Sequence, residues 1–126
     1  MAKSYGIYKC SICGNTIEMI EAKEPNVVCC GQEMNLMQEK TEDEGSEKHV
    51  PVLEVEEGFV EIRVGETPHP MEENHYIGLV EIIRDGKVIA GKWLNPGDEP
   101  KANFCLESTQ GLSARIYCNV HGAWKN

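Results

Sequence analysis

Six cysteines and four histidines are the side chains of this 126-residue sequence best suited to chemistry, and they are grouped. Four cysteines fall in Cys10-Ser11-Ile12-Cys13-Gly14 and Val28-Cys29-Cys30-Gly31. A Cys-x-x-Cys turn closed by Gly lets two thiolates converge on one metal, with backbone N–H groups free to point at sulfur. Four thiolates suit tetrahedral zinc or iron, and spacing alone does not choose between them. Cys29 and Cys30 are adjacent, unlike the usual pair of Cys-x-x-Cys knuckles. Neighbouring residues cannot both ligate one ion in the relaxed knuckle geometry, so a distorted centre is expected. A Cys10–Cys13 disulfide would leave Cys29 and Cys30 without a role.

The second group is Glu47-Lys48-His49-Val50-Pro51, His69-Pro70-Met71-Glu72-Glu73-Asn74-His75 and Cys118-Asn119-Val120-His121-Gly122. His69 and His75 are six residues apart, about 240° around a helix or roughly 20 Å along a straight strand. Only a folded loop brings both to one ion, and Pro70 suits a loop. Cys118 and His121 can meet where a strand ends and turns at Gly122. A set of His49, His69, His75, His121 and Cys118 exceeds a structural zinc site, which closes at four ligands. Imidazole with thiolate suits iron. An octahedral-preferring redox metal would keep one position open, and a thiolate opposite it would push electron density toward whatever binds there. Cys105 has no partner motif and reads as a buried structural thiol in a strand. Trp93 reads as a strand residue, Trp124 as packing near the C-terminal site loop, and Met34 and Met37 as core of the first part of the chain.

These groups need elements to hold them. Residues 1–37 contain four cysteines and no histidine, while all four histidines lie between 49 and 126. The charged stretch from Glu39 to Lys48 reads as a linker or surface loop, giving domains at 1–37 and 38–126. A domain under 40 residues buries too little apolar surface to fold alone, so a metal is expected in it. The larger part reads as all-β. Phe59–Val64 alternates apolar and charged residues. Tyr76–Ile83, Asp85-Gly86 and Lys87–Leu94 read as a hairpin, and Asn95-Pro96-Gly97-Asp98 as a turn. With 50–55, 101–107 and the phase shared by Leu112, Ala114, Ile116, Cys118 and Val120, six or seven short strands suggest an immunoglobulin-like antiparallel sandwich.

Composition narrows the function. Twelve Lys and Arg against 21 Asp and Glu give a net charge of −9, which disfavours nucleic acid and anionic membrane as partners. No apolar run approaches the length of a membrane span. The N-terminus carries no apolar signal region, so the expected compartment is the cytoplasm, where thiols stay reduced and clustered cysteines serve as metal ligands.

Taken together these motifs resemble, over essentially the full length, the desulfoferrodoxin family of two-iron superoxide reductases. The resemblance implies iron at Cys10, Cys13, Cys29 and Cys30 as an Fe(Cys)4 centre in a desulforedoxin-like domain. It implies a second, catalytic iron at His49, His69, His75, Cys118 and His121. The implied reaction is one-electron reduction of superoxide to hydrogen peroxide, with electrons from rubredoxin or a similar donor and a homodimeric assembly. Lys48 would steer the anion inward and hold a protonating water, and Glu47 would occupy the open position of the oxidised iron. One departure is visible: members of that family often carry Glu two positions before the ligand cysteine, where this chain has Ile116. Three other readings compete. A small electron carrier leaves the histidines unexplained, a zinc-stabilised β-sandwich binding module predicts zinc and no iron, and a superoxide dismutase would evolve dioxygen without a donor.

Overall fold

The computed structural model describes residues 3–43 and 48–126. No helix occurs among them, so none is long and apolar enough to cross a membrane. The chain divides into two compact units, residues 1–38 and 39–126.

The first unit holds five short strands: β1 (Ile7–Lys9), β2 (Thr16–Glu18), β3 (Val28–Cys29), β4 (Gln32–Glu33) and β5 (Asn35–Leu36). They form a three-stranded sheet in the order β2-β1-β5 and a separate β3-β4 hairpin. Among the described residues its core cluster is Tyr8, Cys10 and Met34, with Met19, Val27 and Cys29 packed against it, and Ile7 is buried beside them in sequence. So small a core is far too little to balance the entropy of ordering such a unit.

The second unit holds β6 (Glu39–Lys40), β7 (Pro51–Glu56), β8 (Phe59–Val64), β9 (Ile77–Arg84), β10 (Lys87–Trp93), β11 (Lys101–Phe104), β12 (Ser113–Cys118) and β13 (Gly122–Lys125). A five-stranded sheet, β10-β9-β12-β13-β6, lies against a three-stranded sheet, β11-β8-β7. Alternation decides the inner faces. Val60, Ile62 and Val64 from β8 meet Val80 and Ile82 from β9 and Ala114, Ile116 and Cys118 from β12. Ile116 is fully buried in this apolar layer. Asp85 and Gly86 both take positive φ, 53° and 75°, which is the backbone a tight β9–β10 turn requires.

Two departures from the sequence reading stand out. Glu39 and Lys40 are not linker but an edge strand, and β6 pairs parallel with β13 in an otherwise antiparallel sandwich. The pairing partner lies over eighty residues away, so no local pattern announces it. Cys105 is exposed rather than buried: β11 ends at Phe104, and alternation places Cys105 with the exposed Asn103 rather than with the buried Ala102. The outer face of the five-stranded sheet also buries charge. Arg115 on β12 donates to Glu81 on β9 and to Glu39 on β6. Burial disfavours the Arg115 charge, but Glu81 and Glu39 more than offset it, so its pKa lies above the usual value.

Candidate metal centres

In the first unit the chain leaves β1 directly into Cys10, turns, and presents Cys13. The turn is closed by Gly14, whose N–H donates to the Cys10 carbonyl at 3.0 Å and whose φ is +81°. Backbone N–H groups point at sulfur as expected: Cys13 N lies 3.5 Å from Cys10 Sγ and Asn15 N 3.4 Å from Cys13 Sγ. The β3–β4 hairpin brings the other pair. Cys29 ends β3, and the Cys30-Gly31 turn takes φ of 54° and 79°. A positive φ at a non-glycine residue is uncommon, and it is what lets two adjacent cysteines face one point.

All four sulfurs lie within 4.8 Å of one another. Cys13 and Cys29 Sγ are 3.6 Å apart, and Cys29 and Cys30 Sγ are 4.0 Å apart. These are too long for disulfides and near the edge of about 3.8 Å that a tetrahedral metal–thiolate centre requires. The N–H groups of Cys13 and Ile12 lower the Cys10 thiol to about 6. The sulfurs of Cys13 and Cys10 push Cys30 up to about 12 and raise Cys29. Four thiolates this close repel one another unless a cation sits among them, so the donor set fits a metal ion.

The second centre is built at one end of the sandwich. Cys118 ends β12, fully buried, on the same face as Ala114 and Ile116. A register shift falls at this point, with Tyr117 opposite Leu79 but Cys118 opposite Ile77, so Gly78 is bulged out of the ladder. Bulges of this kind re-aim a side chain beside a site. A three-residue turn carries the chain past His121 to Gly122, the partner of Cys118 across the β12–β13 pair. His69 and His75 do lie on a folded loop, closed by reciprocal backbone bonds between Glu72 and His75 at 2.9 and 3.1 Å. His49 precedes β7, and its N–H and that of Val50 both donate to Asp43 Oδ1, at 2.5 and 2.8 Å.

The four imidazoles form a closed cycle. Ring centroids are 4.6 Å apart for His49–His69, 4.8 Å for His69–His75, 5.1 Å for His75–His121 and 4.8 Å for His121–His49. Neighbouring planes are inclined by 62° to 85°. Cys118 Sγ lies 3.7 Å from His69 Nε2 and 3.9 Å from His121 Nδ1. One donor atom from each of the five residues lies within 4.8 Å of the rest. Metal–nitrogen bonds of about 2.1 Å put neighbouring donors roughly 3 Å apart and opposite donors roughly 4.2 Å apart, so one ion satisfies the set. His69 Nδ1–H donates to the Pro70 carbonyl at 2.7 Å, which fixes the tautomer and leaves Nε2 as a ligand. Burial falls from Cys118, His49 and His69 through His75 to the exposed His121.

Lys48 is half-buried beside His49. Its backbone is seated on Gly65 (φ +83°): a Cβ at Gly65 would fall 2.5 Å from the Lys48 carbonyl oxygen. Glu47 lies outside the described residues. Trp124 stacks on His49, 4.6 Å between centroids and 12° between planes. Sequence reasoning missed four supports: Asp43, Gly65, Lys40 and Asn119. Asn119 accepts from Tyr76 N–H at 2.8 Å and donates to the Asn74 carbonyl at 3.1 Å, tying the His75 loop to the Cys118 turn. A polar residue flanked by two ligands is the one signal that could have singled it out.

Comparison with known proteins agrees across the chain. Residues 41–126 match the family model for desulfoferrodoxin, and residues 2–37 that for the desulfoferrodoxin N-terminal domain. A desulfoferrodoxin homolog of Archaeoglobus fulgidus is 52% identical over 126 residues, covering 100% of this chain and 99% of that one. A desulfoferrodoxin of Nitratidesulfovibrio vulgaris is 47% identical over 125 residues, covering 99% and 98%. The crystal structure of the superoxide reductase from Treponema pallidum superposes with a TM-score of 0.76 at 28% identity, covering 96% of each chain.

Proposed function

The chain belongs to the desulfoferrodoxin family, and from that premise we propose that it reduces superoxide, with one electron and two protons, to hydrogen peroxide. Its two donor sets match the two-iron arrangement of that family. The observation that carries the reading is the closed cycle of four imidazoles beside a buried thiolate. Five donors exceed a structural zinc site and leave an iron that prefers six one position for a small anion. His49, His69, His75, His121 and Cys118 would hold the iron, which when bound in its ferrous form would supply the electron.

The rest falls to the chain's own residues. Lys48 provides a local positive charge on a chain of net charge −9 and draws the anion in. Its ammonium also orders a water from which the product takes a proton. Glu47, as the family resemblance implies, would supply a carboxylate to the oxidised centre. Cys118 is shielded from solvent, so its sulfur tunes the centre from within the core. The four-cysteine iron serves as electron carrier or structural cofactor, a rubredoxin-like protein is the donor, and the protein works in the cytoplasm as a homodimer.

The test is stoichiometry. Reduced protein mixed with superoxide should consume donor electrons, yield peroxide and evolve no dioxygen. Dioxygen release without a donor would make it a dismutase, and bound iron inert to superoxide would make it an electron carrier. Replacing Lys48 by Ile should slow superoxide capture on the order of tenfold and flatten its dependence on salt. An unchanged rate would remove the steering role. Glu47→Ala should leave turnover of the reduced protein nearly intact while changing the absorption spectrum of the oxidised centre.

A further inference from the structure

We propose that Lys40 is a positioning residue of the five-donor centre, a fixed cation that favours its reduced state. By sequence Lys40 belongs to a charged linker. In the structure it stands opposite Trp124 in the β6–β13 pair. Its Nζ donates to the carbonyl oxygen of His121 at 3.0 Å and sits 4.8 Å from the centroid of the Trp124 ring. Trp124 is 3% exposed, and His49 stacks on it at 4.6 Å. Lys40 therefore acts on two of the five donors, on His121 through its backbone and on His49 through one intervening ring. The adjacent Glu39 projects to the other face of the strand, where Arg115 and Lys125 meet it.

Oxidation of the bound metal by one electron raises the charge of the centre by one. A nearby cation makes that step costlier, by Coulomb repulsion through a largely apolar ring. Lys40 itself is exposed, so salt weakens the effect without abolishing it. The same side chain holds the turn between Cys118 and Gly122, since its ammonium grips the carbonyl of the residue that ends it. Cation, indole and imidazole form one stack with a single register, set by the Lys40–Trp124 pairing.

The inference rests on the five-donor group being an iron site. The experiment is a redox titration of the purified full-length protein, following the thiolate-to-iron band of the second centre, with iron content measured beside it. Lys40→Met keeps the stem and removes the charge, and Lys40→Arg keeps the charge. Lys40→Met should retain its iron and raise the ferric-to-ferrous ratio at fixed ambient potential by about threefold to tenfold. Tenfold corresponds to about 59 mV for one electron. The gap should narrow as salt is added, and Lys40→Arg should restore the ratio to within about twofold. A Lys40→Met protein with the unaltered ratio overturns the proposal alone, and so do equal shifts in the Met and Arg variants, which would mark a packing effect. Zinc or no metal in the unaltered protein overturns the iron reading and the proposal together.

Discussion

Asn119 shows what a single side chain contributes to the second centre. One amide closes two backbone bonds that join the loop of His75 to the turn of Cys118 and His121. Asn119→Ala should cost about 1–3 kcal/mol, because it strands the half-buried N–H of Tyr76. It should also speed loss of the second iron to a chelator by about tenfold, the usual scale for a group that orients ligands. Competition followed at the absorption band of that centre checks this, and retention equal to the unaltered protein would show that the loops hold without the amide. At this scale the ligands were legible and their supports were not. Cysteine and histidine carry donor chemistry in their identity, so their grouping is visible before any fold. Asn119, Asp43 and Lys40 act through hydrogen bonds to backbone, which leave no spacing pattern. Cys105 was misjudged because its apolar neighbours outweighed the alternation that sets it beside Asn103.

At the scale of elements, the loop carrying Lys48 and His49 is gripped from two sides, by the Asp43 carboxylate and by the bare Cα of Gly65. Gly65→Ala forces contacts of 2.5, 2.7 and 2.9 Å with Lys48 and puts a side chain at φ +83°. It should lower the stability of the sandwich by about 1–3 kcal/mol in urea unfolding. It should also slow superoxide capture, since Lys48 must move. A full loss of stability with an unchanged capture rate would show that the loop relaxes without moving the charge. The long strands were legible because their inner faces alternate, and the Asp85-Gly86 turn because it demands positive φ at both residues. Strand β6 was not: two polar residues cannot show a period, and their partner lies at the far end of the sequence. The bulge at Gly78 was invisible for the same reason, since register belongs to a pair of strands.

For the whole molecule, the contrast between its two cores decides how it should come apart. Residues 60–124 contribute a buried cluster of twelve side chains, Val60 to Trp124, whereas the corresponding cluster of the first unit has three among the described residues. Removing metal with a chelator under reducing conditions should therefore unfold residues 1–38 and leave strands β7 to β13 protected in amide exchange. Protection persisting through β1 to β5 without metal would show that the small unit folds on its own. Four of the six cysteines precede every histidine, a grouping visible in composition, and the two compact units divide between them. The same burial has a consequence for durability. In the proposed reaction the product is an oxidant that scars thiolates within its reach. Cys118, the sulfur nearest its birth, is 0% exposed, while Cys13, Cys30 and Cys105 lie open to solvent. A molecule ageing in its own product would wear from the outside inward, and the sulfur on which turnover depends would be the last to go.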